Sequence, residues 1–157
     1  MAAYRDDDWN DEAARPAPFA DAPPPPPDVV PKGEVYDWYT RGLDLLDGGN
    51  PAAAVTLLTH AAQAEPESRS VREALARAQF DAGRYEEAAD NFRVIVEASP
   101  TDDYAHFGLG LSLARAGDHE AAAEYLALAA AMRPDRKHYT DALRQVRATL
   151  KFRKDTP

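Results

Sequence analysis

The chain repeats itself every 34 residues, and that period constrains its fold more than any other feature. Pro66, Pro100 and Pro134 stand 34 apart, as do Gly49, Gly83 and Gly117, and Ala54, Ala88 and Ala122. A second tier repeats by type: Gly42, Ala76 and Gly110; Leu58, Phe92 and Leu126; Ala61 and Ala129 with Ile95 between them. Six classes of position held in register through three copies mark an internal repeat, in which one supersecondary unit buries its apolar face against the next.

Each copy reads as helix, short turn, helix. "VYDWYTRGLDLLDGG" gives way to "NPAAAVTLLTHAAQAEP", where Asn50 is placed to cap free amides and Pro51 suits a first helical position. In the second copy "SRSVREALARAQFDAG" leads to "RYEEAADNFRVIVEASP". Glu86 and Glu87 fall in the first turn of that second helix, where the macrodipole favours negative charge; Asp102 and Asp103 open the third copy in the same way. These carboxylate pairs read as helix-start stabilisers rather than acid/base catalysts. Gly42, Ala76 and Gly110 are expected to meet Ala54, Ala88 and Ala122 where the two helices of a repeat cross closely.

"GLGLSLARAGD", Gly108 to Asp118, mimics part of a dinucleotide fingerprint, but the third glycine position holds Leu113 and no β-branched strand feeds the turn. A nucleotide site is therefore not expected. Gly110 has its explanation in the helix crossing. Gly108 does not, and is expected to deepen the floor of a groove.

The pattern resembles the tetratricopeptide repeat family, whose 34-residue unit runs W-x2-L-G-x2-Y, then A-x3-F, then P. Trp38, Gly42, Ala54, Leu58, Ala61 and Pro66 carry the resemblance in the first repeat. Leu75, Ala76, Tyr85, Ala88, Phe92 and Pro100 carry it in the second, and Leu109, Gly110, Ala122, Leu126, Ala129 and Pro134 in the third. Arg41 departs from the usual leucine, and Leu45, Gln79 and Leu113 from a common tyrosine. The resemblance implies an all-α fold, a right-handed α-solenoid of antiparallel helix pairs with seven helices. Three repeats are expected at 35–68, 69–102 and 103–134, with a capping helix at 135–154, polar and basic on its outer face. Helical structure should run from about Glu34 to Lys154.

Residues 1–33 read differently. Up to Glu34 there are eight acids against three bases, and most of the chain's prolines, "PPPPP" at Pro23 to Pro27 among them. Such a segment buries too little apolar surface to order itself and reads as a disordered acidic tail. The polyproline stretch suits either a plain spacer or a recognition motif. The start of the chain is polar and acidic, without the apolar core of a secretory signal, and no apolar run approaches the ~20 residues of a transmembrane helix; the expectation is a cytoplasmic protein. There is no cysteine, so thiolate and disulfide chemistry are excluded.

The resemblance implies interaction with proteins rather than catalysis, and the residues supply no catalytic set: serines are few and lack histidine and acid partners at recognisable spacing. His60, His106, His119 and His138 form no paired-ligand motif. No enzyme activity, cofactor or metal site is expected. The first helix of each repeat should line a concave face that holds a protein or peptide segment. Carrying the register through, Tyr36, Tyr39, Leu43, Arg77, Tyr104, Phe107 and Leu111 are the candidate binding residues, with Thr40, Ser70, Glu73, Ala74, Gly108, His138, Asp141 and Gln145 on the same face. Some family members grip acidic chaperone tails there with lysine, asparagine and arginine. The matching positions here are Tyr39, Leu43, Ala74, Tyr104 and Gly108, so that carboxylate clamp is absent and the groove suits an apolar peptide. Those aromatics could equally serve as packing between inner helices.

Charge suggests one alternative and one internal contact. Net charge divides as −5 up to Glu34, −9 from Val35 to Met132 and +5 from Arg133 onward. Arg136, Lys137, Arg144, Arg147, Lys151, Arg153 and Lys154 could serve an anionic surface or nucleic acid, although the acidity of the whole chain argues against nucleic acid as the main ligand. The tail opposes the last helix in charge, and Trp9 and Phe19 are apolar enough to enter the groove of their own molecule.

Overall fold

The computed structural model describes Pro18, Phe19 and residues 33–156. The expectation of disorder over 1–33 and the residue Trp9 otherwise lie outside the described residues. Seven helices follow one another: α1 (Glu34–Asp47), α2 (Pro51–Ala64), α3 (Arg69–Asp81), α4 (Tyr85–Ala98), α5 (Asp103–Ala116), α6 (His119–Met132) and α7 (Lys137–Asp155), with no strand among the described residues. They form a helical solenoid. Each helix packs on its neighbours in sequence, and α1, α3, α5 and α7 also touch in succession, so the odd-numbered helices share one face.

The repeated residues explain this regularity. Gly49, Gly83 and Gly117 turn the chain between the helices of a pair with φ of 81°, 79° and 99°, a left-handed conformation that costs glycine nothing. Ser68, Asp102 and Asp118 cap α3, α5 and α6 by accepting hydrogen bonds from the amides of Val71, Ala105 and Ala121. Glu86 and Glu87 lie in the first turn of α4 as expected. Asn50 does not cap α2: its side chain turns back towards the Gly48 carbonyl, 3.5 Å away, and Pro51 alone suits the start of that helix.

Ala54, Ala88 and Ala122 are fully buried at the crossings. The residues that press on the opposing glycines lie one turn further along. A Cβ on Gly42 would meet Leu58 at 2.6 Å, and one on Gly110 would meet Leu126 at 2.6 Å. Gly110 thus answers to a helix, through the Leu126 side chain rather than through Ala122.

The buried residues form two clusters. One joins α1, α2 and part of α3 around Tyr39, Leu46, Leu58, Val71 and Ala74. The other runs from Ala76 and Phe80 through α4, α5 and α6 to Tyr139 and Val146 of α7, and it includes Phe19. Helix α3 is the boundary, with successive side chains turned to either cluster.

Candidate binding groove on the inner-helix face

The odd-numbered helices bring the candidate residues to one face in two groups. On α1, Tyr39 is buried with Leu43 half-buried beside it in the first cluster, and Tyr36 stands exposed. On α5, Tyr104, Phe107 and Leu111 are buried in the second cluster. Tyr39 therefore does not join Tyr104 and Phe107 in one aromatic patch. Arg77 of α3 lies between the groups: its charge acts on both Tyr39 and Tyr104.

The second group encloses a ring that comes from far away in the chain. Phe19 is 2 % exposed, and four other aromatic rings surround it. It meets Phe80 edge-on at 5.3 Å between centroids, Tyr104 edge-on at 5.6 Å and Phe107 edge-on at 6.3 Å, and it lies tilted against Phe92 at 5.6 Å. Edge-to-face contacts at these separations are the arrangement that the ring quadrupoles favour. The Arg77 guanidinium donates to the Phe19 carbonyl oxygen at 3.5 Å.

Gly108 has a different role from the one its register implied. A Cβ there would lie 2.5 Å from the ring of Phe92, so the space left by the missing side chain is filled by α4 rather than left open as groove depth. Passing over that backbone, Phe92 reaches Phe19 and forms part of the wall around it. Phe80 and Phe92, both absent from the sequence-derived set, are wall residues as much as Tyr104 and Phe107. Phe92 stands at the family's A-x3-F position, which signals packing within a repeat and says nothing of a second contact on the next one.

Phe107 is also held from behind, stacked on Tyr139 at 4.5 Å and edge-on to His138 at 5.1 Å. The Tyr139 hydroxyl donates to the Asp103 carboxylate at 2.8 Å, which ties the last helix to the start of α5.

Polar groups rim the aromatic recess. Burial, together with the nearby Asp102 carboxylate, pushes the Glu73 carboxyl up to about 7, against the pull of Arg77 and Arg69. Burial also raises the Tyr104 phenol well above its ordinary value. The Tyr104 hydroxyl, the Ser70 Oγ and the Arg77 Nε are buried without a hydrogen-bond partner. On the far side of Tyr104 a polar cleft of about 350 Å³ opens between α3, α5 and the start of α7. Its charges are largely matched: Arg69 pairs with Asp102 at 2.5 Å and Arg133 with Asp135 at 2.8 Å. On the basic last helix Arg144 pairs with Asp141. Among the described residues no group of three or more His, Asp or Glu is placed to hold a metal, and no helix is long and apolar enough to cross a membrane.

Comparison with known proteins agrees with this geometry. Two family models described as tetratricopeptide repeat match residues 39–103 and 79–146. The Sgt2 TPR domain from Aspergillus fumigatus superposes with a TM-score of 0.72 at 18 % identity, over 84 % of this chain and 89 % of that one. The first TPR of Spaghetti (RPAP3), bound to HSP90 peptide SRMEEVD, superposes with a TM-score of 0.71 at 17 % identity, over 78 % of this chain and 97 % of that one. MamA from Desulfovibrio magneticus RS-1 does so with a TM-score of 0.72 at 20 % identity, over 74 % of this chain and 66 % of that one. No curated protein matches the chain. The 34-residue period, the seven helices in tandem pairs and two family models that together run from residue 39 to residue 146 lead to one conclusion: the chain belongs to the tetratricopeptide repeat family.

Proposed function

We propose that this protein is a non-catalytic adaptor that holds a peptide or protein segment against the face shared by α1, α3, α5 and α7. The repeats at 35–68, 69–102 and 103–134 would build that face, and the helix over 135–154 would close the array. The observation that carries this reading is the aromatic recess of Phe80, Phe92, Tyr104 and Phe107, which takes up a phenylalanine from outside the repeats. A surface able to enclose a ring and donate to its main-chain carbonyl has what recognition of a peptide requires. Tyr36, Tyr39 and Leu43 would extend the contact along α1, Arg77 would bridge, and Tyr104, Phe107 and Leu111 would anchor it.

Adaptor activity fits a family of interaction modules that are generally non-catalytic. The peptide recorded on Spaghetti (RPAP3) is acidic. Here the positions that would grip such a tail hold Tyr39, Leu43, Ala74, Tyr104 and Gly108, which favours an apolar segment instead.

Affinity capture from the native cell tests the reading when three baits are compared. One is the wild-type chain, the second carries Tyr36→Ala, Leu43→Ala and Arg77→Ala on the inner face, and the third carries Val94→Ala and Leu128→Ala, both exposed on even-numbered helices. Proteins retained by the third bait and lost by the second are the expected result. Identical captures by all three would overturn the proposal.

A further inference from the structure

Phe19 has no place in the repeat. The 34-residue register begins at Val35, and the array buries Leu58, Phe92 and Leu126 completely with its own helices. Yet the Phe19 ring is nearly as buried as these, held in a cage whose walls come from three different helices.

Three features bear on what the cage can hold. Its walls are rings, three of them edge-on to Phe19, so an aliphatic side chain would fill the volume but forfeit the quadrupole contacts. Arg77 donates to the occupant's carbonyl oxygen, a group that any peptide offers. The Tyr104 hydroxyl at the cage and Ser70 Oγ, two turns from Arg77 on the same face of α3, are buried donors still without partners. The occupant itself has a simple chemistry: in "ARPAPFADAPP", residues 14–24, one phenylalanine stands among alanines and prolines, and Pro18 and Phe19 lie in a turn, where proline has no amide to satisfy.

We propose that this cage is a phenylalanine-reading site, that its partner in trans is a peptide carrying one phenylalanine bracketed by proline and alanine, and that Phe19 occupies the site in cis until such a peptide displaces it. The proposal rests on the adaptor reading and gives it a ligand class. Thirteen residues separate Phe19 from Gly33, a tether short enough to hold the ring near the cage at an effective concentration on the order of millimolar. A partner must compete with that, and its apparent affinity falls by the fraction of molecules whose cage is open.

The test uses the full chain and a fluorescein-labelled synthetic peptide of residues 14–24, read by anisotropy, beside the same peptide with alanine at the phenylalanine. Phe19→Ala should bind the phenylalanine peptide about tenfold to a hundredfold tighter than wild type, as removal of a tethered competitor requires, and the alanine peptide should show no binding. Phe19→Leu keeps apolar volume in the cage and should fall between. Equal affinity of wild type and Phe19→Ala, or equal binding of the two peptides, overturns the proposal. If Phe19→Ala loses its helical circular dichroism, Phe19→Leu carries the comparison, and affinity equal to wild type overturns it likewise. Sedimentation of the wild-type chain should show a monomer; a dimer that Phe19→Leu abolishes would overturn occupancy in cis in favour of a second copy. Panning a displayed peptide library on Phe19→Leu separates this inference from the adaptor reading. Enriched peptides without an aromatic residue, lost with Arg77→Ala, would overturn the phenylalanine preference and leave the adaptor; a library with no binder at this face overturns both.

Discussion

The ring of Phe92 lies over the backbone of Gly108, where a Cβ would come within 2.5 Å of it. Phe92 is wholly buried, so its ring can give way only by displacing its neighbours in the core. Gly108→Ala should therefore destabilise the protein although alanine is the better helix former by about 1 kcal/mol. Overpacking of this kind costs about 1 to 3 kcal/mol, so a net loss on the order of 1 to 2 kcal/mol is expected in urea denaturation, with a shift in the near-ultraviolet signal of the aromatic cage. A gain in stability would show that Phe92 can move aside freely.

Ala88→Leu probes the second repeat alone. Ala88 has no exposure and sits at the crossing of α3 and α4, in register with Ala54 and Ala122. Extra methylenes there should push the pair apart at a cost of about 1 to 3 kcal/mol. Wild-type stability in a thermal melt would mean that the crossing is looser than the burial of this residue implies.

Tyr139→Phe removes the hydroxyl that donates to the Asp103 carboxylate and leaves the stacked ring on Phe107 in place. A hydrogen bond to a charged group contributes about 1.5 to 3 kcal/mol when well shielded. This one is partly buried, and a loss of about 1 to 2 kcal/mol is expected. Amide exchange should quicken first in α7, because the bond fastens that helix to α5. Uniform quickening throughout the chain would argue against such a local tie.

Glu73 supplies a pH dependence whose sign is fixed by its environment. Burial and Asp102 hold its carboxyl at about 7 in the folded state, above its ordinary 4.5, while Arg77 and Arg69 oppose them. The folded protein then binds the proton more tightly than the unfolded chain, so this stabilisation is complete below about pH 4.5 and is lost as pH rises through about 7. Glu73→Gln does not titrate and should gain on wild type across that window. Urea midpoints of both proteins measured along a pH series decide the matter, and a constant difference between them would contradict the assignment.

The 34-residue period was sufficient to read the family, seven helices and the repeated turns, because each repeat meets its neighbours through the same few positions. It also assigned Tyr39, Arg77, Tyr104 and Phe107 to the inner helices α1, α3 and α5. What it could not resolve was which neighbour a given inner residue meets. Gly42 and Gly110 answer to the outer helix of their own repeat, whereas Gly108 answers to the outer helix of the repeat before it, since α5, like α3, is packed by two outer helices. Tyr39 and Tyr104 share a face yet fall into separate clusters because α3 divides the core between them. Phe80 and Phe92 escaped notice because a packing position carries no mark of a second contact. Phe19 was legible as a residue apolar enough to enter the groove of its own molecule, as was Trp9, but its address lay in four rings that come later in the chain.

The contact between Phe19 and Arg77 spans 58 positions, in an array whose other helices pack mainly on their sequence neighbours. Neighbour-to-neighbour packing forms quickly, since little chain must be closed to make each contact. The ring of Phe19 leaves the ribosome before any wall of its cage exists, and Phe107, the last wall, follows 88 residues later. Every newly made molecule consequently passes through an interval in which its repeats are assembling while Phe19 still lacks the rings against which it finally packs.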